Sequence, residues 1–240
     1  MSTAGSAVPA AARSVVVVLA AGSGSRLDAE VPKAFAEVGG RPIVEVAASA
    51  AGRSEAVDAL VVTVPAGMQE QAARLLEGVE VPVAVVAGAG SRHGSVAAAL
   101  RAIPDGAEII VCHDAARVLA PPASFTEVID ALRVSGADGV VPGVAMHDTI
   151  KRVRDGVVAE TVPRDDLRAA QTPQAFRAPA LRSAHERAAA TGEVFTDDAA
   201  AVEADGGRVV VIPGDEKNFK ITNADDLRRA DALMSGATRA

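Results

Sequence analysis

Two kinds of hydrophobic segment alternate along the chain. Short runs rich in Val and Ile are apolar at nearly every position, which is typical of strands in a sheet that is covered on both faces. Longer segments rich in Ala and Leu lie between these runs and have the length of helices. The predicted strands are 15–19, 59–64, 83–87, 108–113, 139–142 and 208–212. The predicted helices are 42–51, 69–76, 95–102, 123–134, 179–190 and 197–204.

A last helix is predicted near the end of the chain, with Asn223 as its N-cap, Asp226 in its first turn and its end near Met234. Strands that alternate with helices form βαβ units, in which consecutive strands run parallel. We therefore expect an α/β fold with a mostly parallel, doubly wound, Rossmann-like sheet.

One segment interrupts this alternation. Residues 149–154 and 157–162 are two β-rich runs joined by Asp155-Gly156, and such a pair predicts a hairpin with a two-residue turn. An isolated hairpin is marginally stable, so we expect a β-hairpin arm at about residues 147–168 that projects from the domain. Its half-apolar strands favour a partner, and we expect a homodimer through the arm.

The domain organisation is simple. The chain has 240 residues, without an internal repeat or a long linker rich in Gly, Pro or Ser. We expect a flexible tail of small residues at 1–13 and a single domain at 14–240 that includes the arm.

Composition excludes several classes of partner. The net charge is −7 and aromatic residues make up 2% of the chain, which argues against a nucleic-acid-binding surface. No apolar stretch approaches the ~18 residues of a membrane span, so no membrane partner is expected. The single cysteine, Cys112, excludes an intramolecular disulfide, is predicted to be a buried strand thiol and fits a cytoplasmic location. Arg13 and the apolar run after it only faintly imitate a signal peptide.

The first predicted strand leads into a glycine-rich segment, Ala20-Ala21-Gly22-Ser23-Gly24-Ser25-Arg26. Such a turn exposes backbone N–H groups that bind phosphates closely. Leu27 stands where the dinucleotide-binding fingerprint requires a third glycine, and no Gly-Lys-Ser/Thr closes a P-loop. By itself the segment is also compatible with an ordinary surface turn.

Further motifs follow in order along the chain. They are Pro32-Lys33, His113-Asp114-Ala115-Ala116-Arg117, Asp148-Thr149-Ile150-Lys151, Gln171-Thr172-Pro173-Gln174, Thr196-Asp197-Asp198 and Asn218-Phe219-Lys220-Ile221-Thr222. Together with the glycine-rich segment they resemble the 2-C-methyl-D-erythritol 4-phosphate cytidylyltransferase family of the non-mevalonate isoprenoid pathway. The resemblance spans residues 14–235.

The residues themselves indicate phosphoryl-type chemistry. Arg26 and Lys33 supply positive charge beside a loop of backbone donors, and such reactions depend chiefly on positioning and charge neutralisation. A phosphate-monoester nucleophile is largely ionised at pH 7, so no Ser–His or Cys–His relay is needed. Asp114 follows a strand end, where open α/β sheets bind ligands, and Arg117 offers a forked clamp for an anion.

The resemblance implies in-line attack of the substrate phosphate on the α-phosphorus of CTP, with Mg²⁺ bridging the phosphates and no dedicated protein ligand for it. It implies catalytic roles for Arg26, Lys33 and Lys220. The implied CTP-binding residues are Ala20, Ala21, Gly22, Gly24, Gly88, Gly90 and Ser95. The implied polyol-phosphate residues are Asp114, Arg117, Thr149, Arg164, Thr172 and Thr196, of which Thr149 and Arg164 come from a second subunit. Many relatives have a polar pair where this chain has Ala89-Gly90, which leaves base contacts there to the backbone.

Alternatives remain open on the sequence alone. A sibling cytidylyltransferase for ribitol 5-phosphate shares the glycine-rich segment, a catalytically silent nucleotide-binding module could share the fold, and an oxidoreductase is a distant third. The four histidines show no zinc-ligand spacing. The acidic pairs 165–166, 197–198 and 225–226 are interpreted as helix caps rather than metal ligands.

Overall fold

The computed structural model describes residues 7–22 and 32–237. The strands of the main sheet are β1 (Ser14–Leu19), β4 (Ala59–Val64), β5 (Val83–Ala87), β6 (Ile109–Asp114), β7 (Gly139–Ala145), β10 (Arg168–Ala170), β11 (Gln174–Arg177) and β12 (Val209–Pro213). Two small antiparallel pairs stand apart from it, β2 (Glu37–Val38) with β3 (Arg41–Pro42) and β8 (Ile150–Arg154) with β9 (Val157–Val162). The helices are α1 (Ile43–Gly52), α2 (Gln69–Leu75), α3 (Arg92–Leu100), α4 (Pro122–Ser135), α5 (Ala178–Thr191), α6 (Asp198–Ala204) and α7 (Ala224–Ala237).

The main sheet is mostly parallel, as the alternating pattern predicts. Its order is β10-β7-β11-β6-β1-β4-β5, and β12 pairs with β7 in parallel. The central strand β1 runs parallel to both neighbours, with Val17 opposite Val61 of β4 and Cys112 of β6. Each of the six predicted strands is confirmed as a strand of this sheet, with small differences at the ends.

Two antiparallel strands were not apparent in the sequence. β11 is inserted between β6 and β7 and is antiparallel to both, and β10 pairs with the far part of β7. They are three to four residues long, which is too short for hydrophobic periodicity to identify. Pairing with strands distant in sequence decides their conformation.

Helices cover both faces of the sheet, which confirms the doubly wound architecture. In β1, Val16 and Val18 face a core shared with α1 and α4, whereas Val15 and Val17 face a second core shared with α3 and α5. All four valines are fully buried. A strand buried on both faces has no polar side, and this explains its continuous apolar run.

The N-termini of three helices are fixed by local hydrogen bonds. Ser91 Oγ accepts from Gly94 N at 3.0 Å at the start of α3, and Asp197 Oδ1 accepts from Ala200 N at 2.9 Å at the start of α6. At α7, Asn223 Oδ1 accepts from Asp226 N at 2.9 Å, which confirms the predicted cap. The first two caps matter for the site, because α3 and α6 begin beside it.

The predicted hairpin is present as β8 and β9. Its turn residues Asp155 and Gly156 have φ values of 49° and 78°, the left-handed conformations that two-residue hairpin turns require. Nearly all its residues are exposed. Pairing of this arm with a second chain stays a prediction.

The packed part of the chain begins before Ser14. Val8 and Ala12 are buried in the second core, so the expectation of a flexible tail does not fit these two residues, whereas residues 9–11 between them are exposed. Residues 1–6 lie outside the described part of the chain. No helix within residues 7–22 and 32–237 is long and apolar enough to cross a membrane.

Candidate active site

A cavity of about 350 Å³ opens at the carboxyl ends of the central parallel strands. Leu19 of β1, Thr63 of β4 and Asp114 of β6 line its floor, and the segment after β5 forms one wall. Open α/β sheets bind ligands at this edge, where the loops diverge from the strand ends. Eight of the sixteen site residues predicted from the sequence line this cavity: Ala20, Ala21, Gly22, Lys33, Gly90, Ser95, Asp114 and Lys220.

The glycine-rich segment enters the cavity directly from β1. Ala20 N donates to Thr63 O at 2.9 Å, which ties the start of the loop to β4. Ala21 and Gly22 then line the cavity. Gly24 and Arg26, predicted for CTP binding and catalysis, lie outside the described residues.

Gly88 allows two loops to meet. A Cβ atom on Gly88 would lie 2.2 Å from Ala21 Cβ and 2.9 Å from Ser95 Oγ. Only glycine permits this approach, so Gly88 fixes the distance between the glycine-rich segment and the segment after β5. Gly90 differs, since a Cβ there would meet nothing within 4 Å.

Ser95 holds the segment after β5 in place. Its Oγ accepts from Ala89 N at 3.0 Å and donates to Ser91 O at 2.9 Å. The side chain is 4% exposed. Its hydroxyl is therefore engaged in shaping the wall of the cavity.

Two lysines far apart in sequence converge on the cavity. The Lys33 ammonium donates to Ile221 O, the carbonyl of the residue that follows Lys220. Lys220 Nζ lies 2.6 Å from Asp114 Oδ2. The cavity therefore combines exposed backbone with the cationic side chains of Lys33 and Lys220, an arrangement suited to anionic phosphates.

Asp114 is the carboxylate of the cavity, and it lies between two cations. Lys220 faces Oδ2, and Arg92 Nε lies 3.4 Å from Oδ1. Burial raises the pKa of Asp114, but the charges of Lys220 and Arg92 outweigh burial and leave the pKa below its usual value. The carboxylate is ionised at neutral pH and can accept hydrogen bonds.

Thr172 supports Asp114 from behind rather than lining the cavity. Its Oγ1 accepts from Asp114 N at 3.0 Å and forms a hydrogen bond with His113 Nδ1 at 3.1 Å. Burial lowers the pKa of His113 to about 4, so the imidazole is neutral at pH 7 and can accept from the Thr172 hydroxyl. The pair fixes the backbone at the end of β6.

Arg117 lies next to this support. Its guanidinium donates to Asn218 O at 2.7 Å and to Ala170 O at 3.2 Å. These bonds connect the loop after β6 to β10 and to the segment that carries Lys220. Its buried Nε has no hydrogen-bond partner.

Three other predicted residues lie outside the cavity of the single chain. Thr149 and Arg164 are exposed at the two ends of the hairpin, where the Arg164 guanidinium donates to His147 O. Thr196 is exposed in the turn before α6. A second, more open cavity of about 710 Å³ lies at the base of the hairpin, with His147, Arg168 and Glu216 among its lining residues.

The structure identifies a charged pair that the sequence interpretation missed. Asp197 caps α6 and Asp198 lies in its first turn, as predicted, but Asp198 is also 2% exposed and forms an ion pair with Arg92 Nη2 at 2.7 Å. Arg92 lines the cavity. A charged residue within the glycine-rich stretch 88–95 was the available signal for Arg92, whereas burial alone distinguishes Asp198 from Asp197.

The other two acidic pairs also differ from each other. Asp226 accepts from Thr222 N at 2.7 Å at the start of α7, which confirms a cap. Asp165 and Asp166 lie in a turn before β10 rather than at a helix start. The prediction of a helix cap is therefore wrong for this pair, because the residues that follow form a strand that pairs with β7.

Comparisons with known proteins agree with this geometry. Residues 14–236 match the family model described as IspD, 2-C-methyl-D-erythritol 4-phosphate cytidylyltransferase. The chain is 46% identical over 221 residues to the 2-C-methyl-D-erythritol 4-phosphate cytidylyltransferase of Rhodococcus opacus, covering 92% of this chain and 94% of that protein. It is also 46% identical over 225 residues to the bifunctional enzyme IspD/IspF of Clavibacter michiganensis, where it covers 92% of this chain and spans 54% of the relative's length.

A solved structure supports the same assignment. The crystal structure of 4-diphosphocytidyl-2C-methyl-D-erythritol synthase from Anaerococcus prevotii superposes with a TM-score of 0.82 at 28% identity, covering 93% of this chain and 98% of that one. The glycine-rich segment, the convergent lysines and Asp114 all lie within the matched residues. The chain therefore belongs to the 2-C-methyl-D-erythritol 4-phosphate cytidylyltransferase family, the nucleotidyltransferases that join CTP and 2-C-methyl-D-erythritol 4-phosphate into 4-diphosphocytidyl-2-C-methyl-D-erythritol.

Proposed function

We propose that the cavity binds the triphosphate of CTP against Lys33 and Lys220, and that these lysines act on the reacting phosphorus during transfer of CMP. The observation that carries the proposal is that Lys33 and Lys220 line the same cavity, where the Lys33 ammonium donates to the backbone carbonyl of Ile221. Cations that converge on one point stabilise charge that develops there in a transition state. Arg26 is assigned the same role from its place in the glycine-rich segment.

The nucleotide occupies the side of the cavity formed by the two glycine-containing segments. Backbone groups of Ala20, Ala21 and Gly22, together with Gly24, contact the triphosphate and sugar. The base lies against the wall formed by the segment after β5, where Gly90 offers an open backbone surface. Gly88 and Ser95 act through the shape of this wall, since both are packed behind it.

The polyol phosphate occupies the side near Asp114. The ionised carboxylate accepts hydrogen bonds from substrate hydroxyls. Arg117 lies close to the phosphate end, while Thr172 holds Asp114 in position. Thr196 contributes a hydroxyl from the turn before α6.

The reaction needs no catalytic base. An oxygen of the substrate phosphate, already ionised at pH 7, attacks the α-phosphorus of CTP and forms the new P–O bond. The bond from the α-phosphorus to the bridging oxygen breaks, and its electron pair leaves with pyrophosphate. Lys33 and Lys220 neutralise the charge that builds up on the phosphate oxygens, and the loops hold the two reactants in line.

A divalent cation fits this cavity only as a companion of the nucleotide. Within residues 7–22 and 32–237, no group of three His, Cys, Asp or Glu side chains is arranged to hold a metal ion. Both oxygens of Asp114 already face cations. Mg²⁺ commonly binds through substrate phosphates with few protein ligands, so the triphosphate supplies most of its ligands. When bound, the ion adds positive charge at the phosphates.

The hairpin arm is proposed to pair with the arm of a second copy in a homodimer. Val153, Val157 and Val158 are 54%, 69% and 55% exposed in the single chain, and burial of such side chains favours association. Thr149 and Arg164, which lie outside the cavity of their own chain, then complete the polyol-phosphate site of the partner. The protein is proposed to act in the cytoplasm.

A pyrophosphate-release assay tests the substrate assignment. Four nucleoside triphosphates are crossed with 2-C-methyl-D-erythritol 4-phosphate, ribitol 5-phosphate and other polyol phosphates, with and without Mg²⁺. We expect turnover with CTP and methylerythritol phosphate, dependent on Mg²⁺. Equal turnover with ribitol 5-phosphate contradicts the polyol assignment, and no turnover with any pair contradicts the catalytic one.

A further inference from the structure

A row of paired polar side chains runs from the cavity into the protein interior. It begins at Lys220, 2.6 Å from Asp114 Oδ2, and continues through Arg92, whose Nε lies 3.4 Å from Asp114 Oδ1. Arg92 Nη2 is 2.7 Å from Asp198 Oδ2, and His185 Nε2 is 3.0 Å from Asp198 Oδ1. The row connects the end of β6 to α3, α6 and α5.

The inner part of this row is excluded from solvent. The side chains of Asp198 and His185 are 2% and 3% exposed, whereas that of Lys220 is 42% exposed. Burial raises the pKa of Asp198, but the hydrogen bond from His185 and the charge of Arg92 outweigh it and lower the pKa to about 2. A buried carboxylate that stays ionised must be paired, and removal of one partner leaves an uncompensated charge.

The geometry gives Arg92 unequal distances to its two carboxylates. Its contact with Asp198 is 0.7 Å shorter than its contact with Asp114. A guanidinium without the inner carboxylate would be free to form a two-pronged pair with Asp114, the preferred arrangement of an arginine with one carboxylate. Such a pair would occupy the oxygens that Asp114 presents to the cavity.

We propose that Asp198 is a positioning residue that anchors Arg92 away from Asp114 and so keeps the Asp114 carboxylate available to the hydroxyls of the polyol phosphate. His185 orients Asp198 from the other side, and its ring is held by stacking on His93 at 4.2 Å between centroids. This inference rests on the proposed role of Asp114 as the acceptor for the polyol.

The primary test is Asp198→Asn, which removes the charge and keeps the shape. We expect the KM for methylerythritol phosphate to rise about tenfold, the usual effect of losing a hydrogen bond to a charged group. The KM for CTP should change less than threefold, because Ser95 Oγ still holds the segment that carries Arg92 through its hydrogen bonds with Ala89 N and Ser91 O. Pyrophosphate release is measured with each substrate varied in turn.

Asp197→Asn is the matched control. Asp197 precedes Asp198 and accepts the capping bond of α6 through Oδ1, a role that Asn fills equally well, while its Oδ2 accepts from Gln174 Nε2 at 3.0 Å. Within the described part of the chain, the ion pairs of Arg92 are with Asp114 and Asp198 rather than with Asp197. We expect both KM values to stay within a factor of two of the wild-type values, so a tenfold rise in the polyol KM of this variant would refute a specific role for Asp198.

A double-mutant cycle separates positioning from general loosening of the structure. In an Arg92→Met background there is no guanidinium for Asp198 to anchor, so adding Asp198→Asn should not raise the polyol KM further. Independent structural damage would instead multiply the two effects. A multiplied effect, or an equal rise in both KM values for Asp198→Asn, overturns the proposal.

His185→Leu keeps the proposal testable where Asp198→Asn does not fold. It removes one hydrogen bond from Asp198 but leaves the ion pair with Arg92, so a smaller rise in the polyol KM is expected without a change in the KM for CTP. An unchanged polyol KM in this folded variant refutes the role of the row. Wild-type protein that releases no pyrophosphate from CTP and methylerythritol phosphate contradicts the proposed function itself, whereas an active wild type with unaffected variants contradicts only this inference.

Discussion

The close approach of Gly88 to Ala21 makes Gly88→Ala an informative perturbation. The added Cβ would lie 2.2 Å from Ala21 Cβ, where ordinary contact begins near 3.4 Å. One of the two loops must therefore retreat by about 1 Å. Both loops line or support the nucleotide side of the cavity, so this displacement changes the width of the proposed CTP site.

The size of the effect follows from that displacement. A misplacement of about 1 Å at a reacting centre costs on the order of 10²-fold in rate, and we expect that loss in kcat/KM for CTP. Overpacking of a closely packed site costs about 1–3 kcal/mol in the free energy of unfolding. The variant should therefore stay folded while losing most of its activity.

Pyrophosphate release with varied CTP, together with urea denaturation, measures both quantities. Gly78→Ala is the matched control, because a Cβ at Gly78 meets nothing within 4 Å and the residue lies outside the cavity lining. The double variant Ala21→Gly with Gly88→Ala removes the clashing Cβ and should regain part of the lost activity. The contact of the new methyl with Ser95 Oγ at 2.9 Å persists, so recovery is expected to be incomplete.

Two results would refute the reasoning. Wild-type kcat/KM in Gly88→Ala would show that the separation of the two loops does not set the geometry of the CTP site. A double variant as inactive as Gly88→Ala would show that the contact with Ala21 is not the cause of the loss.

Three further predictions concern charge, assembly and pH. Lys33→Ala should lower kcat about 10²–10³-fold with little change in the KM for CTP. The control Lys217→Ala, at an exposed lysine, should change neither quantity. An effect of Lys33→Ala confined to KM would show that Lys33 contacts the phosphate only in the ground state. Lys33→Ala and Arg164→Ala proteins, dissociated and reassociated in equal amounts, should regain activity in roughly a quarter of the sites if the arms complete each other's pockets, and recovery at background level would exclude a shared site. Burial lowers the pKa of His113 to about 4 in the folded protein. As the pH falls below about 6.5, this imidazole therefore becomes protonated in the unfolded chain while it stays neutral in the folded one. Urea denaturation should therefore show a loss of about 2 kcal/mol of stability between pH 7 and pH 5 in the wild type relative to His113→Gln, and equal losses in both proteins would contradict the buried neutral imidazole.

Local features of the chain sufficed to predict much of the fold. The run Val15–Val18 is apolar throughout because both faces of β1 are covered, and Asp155-Gly156 forms the hairpin turn because its two residues adopt left-handed conformations. The apolar run and the Asp-Gly dipeptide are each contiguous in sequence, so a linear pattern records them. The same holds for the glycine-rich segment, whose position after a strand already indicated a phosphate-binding edge.

Other features depend on residues that meet only in the folded chain. Nothing near Lys33 in the sequence indicates that its ammonium reaches Ile221 O, and nothing in the pair Asp197-Asp198 indicates that one caps a helix while the other is buried against Arg92. β11 is antiparallel because β6 and β7 leave a place between them, a condition set by strands distant in sequence. The sequence by itself determined most of the elements, though not β10 and β11, and the chemistry they carry, because propensity and periodicity are local. The tertiary structure decided which charges face each other, because burial and long-range pairing depend on the whole chain.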